Sequence, residues 1–88
     1  MKSYASPRFW RLFQELPQET KETAVRNFRL WQENPHHPSL RYRRLQGKDD
    51  LVTVRVGRDY RAVGLLESGA VQWIWIGSHA DYDQLLRG

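Results

Sequence analysis

The sequence predicts an α+β fold: an N-terminal helical hairpin packed on a twisted, mainly antiparallel β-sheet of about four strands. Three observations predict it. Apolar side chains between Phe9 and Trp31 recur at helical spacing, residues from Leu40 to Ile76 alternate with a period of two between turn-forming clusters, and the strand connections are short enough to force antiparallel neighbours. Residues 1–88 read as a single domain, because a chain of this length supports one modest core.

The first helix starts at Ser6-Pro7, with serine as N-cap and proline at the first helical position, where its missing N–H costs nothing. Phe9, Leu12, Phe13 and Leu16 fall at i, i+3, i+4 and i+7 on one face, and Pro17 ends the segment. The second helix covers Gln18 to Glu33. Ala24, Phe28 and Trp31 form its apolar stripe, Glu19 and Glu22 sit near its positive end, and Asn34-Pro35 stops it. A strand within MKSYA, ahead of both helices, is short enough to be left open.

After a connector from His36 to Ser39, LRYRRLQ (Leu40 to Gln46) reads as a first strand, with Arg41 and Arg43 on one side and Leu40, Tyr42 and Arg44 on the other. GKDD is a turn. Leu51 to Val56 and Tyr60 to Leu66 then form a hairpin across Gly57, Arg58 and Asp59. With a three-residue loop, Val56 pairs with Tyr60 and Arg55 falls opposite Arg61. With a two-residue loop, Arg55 pairs with Ala62 and Arg61 turns to the other face. The first register sets two guanidiniums against each other, which the bare protein gains nothing from and an anion between them would reward. AVQWIWI is the last strand, with Val71, Trp73 and Trp75 on one face and Gln72, Ile74 and Ile76 on the other. Apolar on both faces, it belongs at the centre of the sheet or under cover on both sides. GSHADYDQLLRG is expected to begin as a loop at Gly77 and Ser78 and to finish as one helical turn.

Four Trp, four Tyr and three Phe provide large packing groups, and 27% charged residues is ordinary for a folded surface, which excludes a disordered chain. With no cysteine, disulfides and thiolate metal sites are excluded. No apolar run approaches the roughly 20 residues of a membrane span, so the expectation is a cytoplasmic protein. The net charge of +4 is unevenly placed: +2 over residues 1–34, +4 over 35–66 and −2 over 67–88. A basic middle built on strands suggests a sheet face for a polyanion, balanced by ordinary solubility as the plainer explanation. His36 and His37 are adjacent and have no acidic or thiol partner at ligand spacing, so they read as connector residues and no metal is expected. Trp73 and Trp75 are expected to pack in the core rather than stack on bases.

NPHHPSLRYRRLQG, VTVRVGRDYRAVGLL and WIGSHADYDQLL, in that order and spacing, resemble the RelE/ParE superfamily of type II toxin–antitoxin toxins. The resemblance runs from about Phe9 to Leu86, and RVGRDYRA and IGSHADYDQLL are its most specific pieces. It implies a RelE-like fold and a cognate antitoxin protein as partner. Many RelE-like members are ribosome-dependent endoribonucleases that cut mRNA without a metal or other cofactor, whereas the ParE branch poisons DNA gyrase. A non-catalytic relative that only binds antitoxin or nucleic acid is the third class.

By that resemblance the arginine of the YR motif matches Arg61, the histidine of the GSH segment matches His79 as in YafQ-like members, and Tyr82 is the available match for an aromatic hydroxyl near the C-terminus. Arg41, Arg43 and Arg44 correspond to the basic strand before the hairpin, with Lys48 and Arg58 as further phosphate contacts. The chemistry fits these types. Cleaving RNA internally needs the 2′-OH deprotonated, charge on a five-coordinate phosphorus stabilised and the leaving 5′-oxygen protonated. Arginine meets phosphate oxygens in pairs and stays charged, and histidine titrates near neutrality. Arg61 and Arg55 are expected as charge stabilisers and His79 as general acid, with Asp81 or Tyr82 left as bases. Family members that use lysine, glutamate or a second histidine on the early strands differ from this chain, which has arginines there.

Overall fold

The computed structural model describes residues 2–87. The element order is β1 (Lys2–Ala5), α1 (Pro7–Gln14), α2 (Gln18–Glu33), a 3-10 turn (Pro38–Leu40), β2 (Arg43–Leu45), β3 (Lys48–Val56), β4 (Tyr60–Glu67), β5 (Ala70–Ser78) and α3 (His79–Arg87). The sheet runs β1-β5-β4-β3-β2, with β1 parallel to β5 and the other pairs antiparallel. This is the expected α+β architecture with one strand more. The short N-terminal segment docks because β5 has a free edge, and the ladder continues past its end through the Ser6 N–H, which donates to the Trp73 carbonyl at 2.9 Å.

The first helix begins as the sequence indicates: Ser6 Oγ accepts from the Phe9 N–H at 3.1 Å and Pro7 holds the first turn. One face of the sheet carries α1 and α2. Trp31, 1% exposed, anchors this side, crossing Trp73 edge-on at 5.2 Å and Tyr42 at 5.8 Å, with Leu40, Val52, Val54, Val56 and Ile76 around it. The two helices do not seal over the sheet. An apolar groove of about 290 Å³ lies between them, with half-exposed Trp10 and Phe28 at its rim.

Four details depart from the sequence reading. Leu40 to Gln46 is not one strand: Pro38–Leu40 turns as a 3-10 helix, Arg41 takes left-handed backbone (φ 47°, ψ 44°), and only Arg43–Leu45 pairs. The turn before β3 shrinks to Gln46-Gly47, so Lys48 already pairs with Leu45. The tail is not a loop with one turn, because β5 runs to Ser78 and α3 spans nine residues. Finally, Trp73 and Trp75 lie on opposite faces.

That last difference comes from a β-bulge. Gly64 pairs with Trp73 while Val63 pairs with Trp75, so Ile74 is an extra residue opposite nothing. Val71 and Trp73 therefore face the helices, while Ile74 and Trp75 turn to the other side and build a second, smaller core with Val63 and the Tyr82 ring of α3. The second face is thus half covered rather than entirely wet. Gly64 suits the crossing: a Cβ there would lie 2.5 Å from Val71 Cγ1 and 3.0 Å from the Trp73 ring. Gly64→Ala is expected to destabilise the fold by about 1–3 kcal/mol through overpacking, read as a lower urea midpoint at unchanged m-value.

Candidate functional site

The hairpin settles the open register. Val56 pairs with Tyr60 across Gly57, Arg58 and Asp59, and Arg55 lies opposite Arg61, with Gly77 of β5 next in the same row. That row belongs to the face away from α1 and α2. Each backbone on it has been chosen for room or hold. Gly77 leaves the place beside Arg61 without a side chain, and a Cβ there would come within 2.7 Å of the Trp75 indole leaning over it. The Arg55 Nε–H donates to the Gly57 carbonyl at 3.0 Å, and the Asn27 side chain of α2 donates to the Arg55 carbonyl at 3.2 Å, fixing the strand from behind.

His79 is brought in by the start of α3. Ser78 Oγ accepts from the Asp81 N–H at 3.1 Å, an N-cap, and the His79 N–H donates to the Asp59 carbonyl at 2.7 Å. The helix start is thereby tied to the β3–β4 turn. Ser78-His-Ala-Asp81 is an S-x-x-D capping signal that a reading for helix starts finds in the sequence.

Arg41, Arg55, Arg58, Tyr60, Arg61 and His79 line one open cleft of about 200 Å³. Four guanidiniums and an imidazole face it, and none of these six residues carries a carboxylate. Of the residues singled out from the sequence, Arg41, Arg55, Arg58, Arg61 and His79 come together here. Arg43, Arg44 and Lys48 do not line it. Arg43 pairs with Thr53 and Arg44 with Val52 at the sheet edge, which puts them on alternate faces, and Lys48 begins β3 at its other end. Tyr82 also lies outside the lining: 8% exposed, it sits beneath, in the second core. Arg61 Cζ stands 5.3 Å from the centre of its ring. Asp81 is exposed on α3.

Tyr60 was missed by sequence reasoning. Strand alternation assigns it to the helix face, where it does touch the main core, yet as the first residue of β4 it also forms part of the cleft wall. His37 has a local job, its Nδ1 accepting from the Ser39 N–H at 3.2 Å to cap the 3-10 turn. The larger apolar groove on the opposite face has no charged residue in its lining, so the charged groups gather in the smaller cleft. The two perturbed phenols lie outside the cleft as well. Tyr4 donates to Glu67 Oε2 at 3.1 Å, and that bond together with the carboxylate's charge raises its pKa. Burial raises that of Tyr42, against a lowering by Arg44.

Among the described residues no three His, Asp or Glu side chains gather to hold a metal ion, and no helix is long and apolar enough to cross a membrane. What the arrangement offers is dense positive charge beside one imidazole, chemistry suited to an anion.

The architecture is a five-stranded α+β sheet backed by two helices, with a basic cleft at the hairpin end. The family model for the ParE-like toxin domain matches residues 18–84, and the chain belongs to that family, within the RelE/ParE superfamily. Solved structures that share its fold include the following three. The RelB-RelE antitoxin-toxin complex of Methanococcus jannaschii is 11% identical (TM-score 0.76, covering 93% of this chain and 96% of that one). YafQ from E. coli strain BL21(DE3) is 15% identical (TM-score 0.73, 92% and 96%), and the YoeB/ParE toxin of Agrobacterium tumefaciens 19% identical (TM-score 0.69, 90% and 99%). No curated protein matches the chain by sequence.

Arg41 supplies a test of the cleft, since its left-handed backbone, which closes the 3-10 turn with its N–H on the Pro38 carbonyl at 3.3 Å, is one that glycine adopts without strain. Arg41→Gly is expected to stay within about 1 kcal/mol of wild-type stability, relief of the Cβ clash offsetting added chain entropy. Its affinity for a single-stranded oligonucleotide should fall, with the slope of log K against log salt shallower by about 0.7.

Proposed function

We propose that this toxin acts as a metal-independent, ribosome-dependent mRNA endoribonuclease that stops translation in the cytoplasm. The observation that carries the proposal is the cleft itself, where Arg55 and Arg61 face each other across the hairpin and His79 stands at the same opening. In this reading the scissile phosphate lies between the two guanidiniums. As the ribose 2′-oxygen gives its proton to a solvent water and attacks phosphorus, negative charge grows on the non-bridging oxygens, and the guanidinium N–H groups of Arg55 and Arg61 stabilise it. The 5′-oxygen leaves as its bond to phosphorus breaks, taking a proton from the His79 imidazolium. Arg41 and Arg58 hold the neighbouring phosphates, and Arg43, paired with Thr53 on the same face as Arg55, extends the positive surface towards the sheet edge.

The partner in this reading is a cognate antitoxin, supported by the toxin–antitoxin complex among the solved structures of the same fold. A second reading, poisoning of DNA gyrase, is favoured by the ParE-like description of the matching family. The two separate cleanly. If the nuclease reading holds, induced expression followed by 5′-end mapping of cellular RNA gives new ends within translated messages. Arg61→Ala and His79→Ala then abolish those ends and restore growth. A gyrase poison gives DNA damage and filamentation with messages left whole.

Purification of the chain co-expressed with its neighbouring reading frame is expected to yield a stable complex in which RNA cleavage is suppressed. A monomeric toxin eluting alone would count against the antitoxin.

A further inference from the structure

We infer that Tyr82 is a positioning residue, one that sets the arginine and the histidine of the cleft through its ring and takes no part with its hydroxyl. This rests on the nuclease reading and runs against the role that the family resemblance implies for a C-terminal tyrosine.

Tyr82 does not line the cleft but touches two residues that do. The guanidinium of Arg61 lies 5.3 Å from the ring centre, within cation–π range, and the His79 imidazole stacks on the ring at 6.0 Å with the planes 20° apart. His79 and Tyr82 are three residues apart on α3, the spacing that puts side chains on one face of a helix. From the core side the ring is braced by Trp75 at 6.2 Å, and Trp75 in turn lies across Gly77, the residue paired with Arg61. The contacts thus run from the sheet backbone through two aromatic rings to both chemical groups. With only 8% of Tyr82 exposed, the ring is a buried platform, whereas His79 stays exposed at the mouth.

A flat ring does this work with or without its oxygen, so the conservative variant separates the two roles. Wild type, Tyr82→Phe and Tyr82→Leu are compared by cleavage of a defined message in programmed ribosomes. NMR of the imidazole protons provides a second readout, with His79 assigned by the signal lost in His79→Gln. Tyr82→Phe is expected to hold its rate within about threefold of wild type and to keep the His79 ring-current shift. Tyr82→Leu should lose that shift and about ten- to a hundredfold in rate, the scale of a misplaced catalytic group. Tyr82→Met replaces the leucine variant if the latter fails to fold. A phenylalanine variant as slow as the leucine one would overturn the inference, as would a leucine variant of wild-type rate. If wild type leaves every message uncut, the nuclease reading falls. The NMR comparison then decides the positioning alone: an unchanged His79 signal in Tyr82→Leu overturns it, and a shifted one supports it.

Discussion

One extra residue in β5 governs the whole arrangement. Because Ile74 bulges out between the Gly64–Trp73 and Val63–Trp75 pairs, the strand changes the face to which its aromatic residues point halfway along its length. Before the bulge, Val71 and Trp73 complete the core beneath α1 and α2; after it, Trp75 crosses to the far face and gives α3 something to pack on. Without that switch both indoles would lie on one side, Tyr82 would have no apolar support, and His79 would have no fixed place beside the hairpin. The bulge needs a glycine opposite it, and the crossing of Trp75 needs another at position 77, because in each place an indole occupies the space of a side chain.

The cleft built on this scaffold is electrostatically unfavourable to the empty protein. Like charges directly opposite on neighbouring strands cost about 0.2–1 kcal/mol, and Arg41 and Arg58 add to the crowding around Arg55 and Arg61. Local contacts hold the groups in place regardless: Arg55 on the Gly57 carbonyl, Arg61 over the Tyr82 ring and His79 anchored by its N–H to Asp59. Charge assembled in advance and held against its own repulsion is what stabilises a developing anion, since nothing has to reorganise when the charge appears. Stability lost here is supplied by the other side of the sheet, where Trp31 and its neighbours are almost wholly buried.

The sheet therefore separates two tasks. Its helix-bearing face provides most of the core, and its second face carries the basic cleft over a smaller one. The faces communicate through the Asn27 hydrogen bond from α2 to the Arg55 backbone, beside which Thr23 lies 3.5 Å from where a Cβ of Gly57 would be. The position of the hairpin that bears three of the four cleft arginines thus depends on the seating of the second helix.

Much of this was legible in the chain itself. Serine-proline and the i, i+3, i+4 spacing place α1, apolar periodicity ended by Asn34-Pro35 gives α2 its observed bounds, and alternation around Gly57-Arg58-Asp59 yields the hairpin, with Arg55 against Arg61 as one of the two registers it allows. These are local matters, decided by residues within a few positions of each other. What tertiary structure alone decided is which strands meet and where a period slips. The N-terminal segment becomes a strand only because β5 offers an edge, Trp73 and Trp75 part only because β4 presents a glycine to the bulge, and LRYRRLQ gives up its strand where Arg41 bends towards the cleft. A period of two read along one chain cannot reveal a bulge, since the extra residue is defined by its missing partner on another strand.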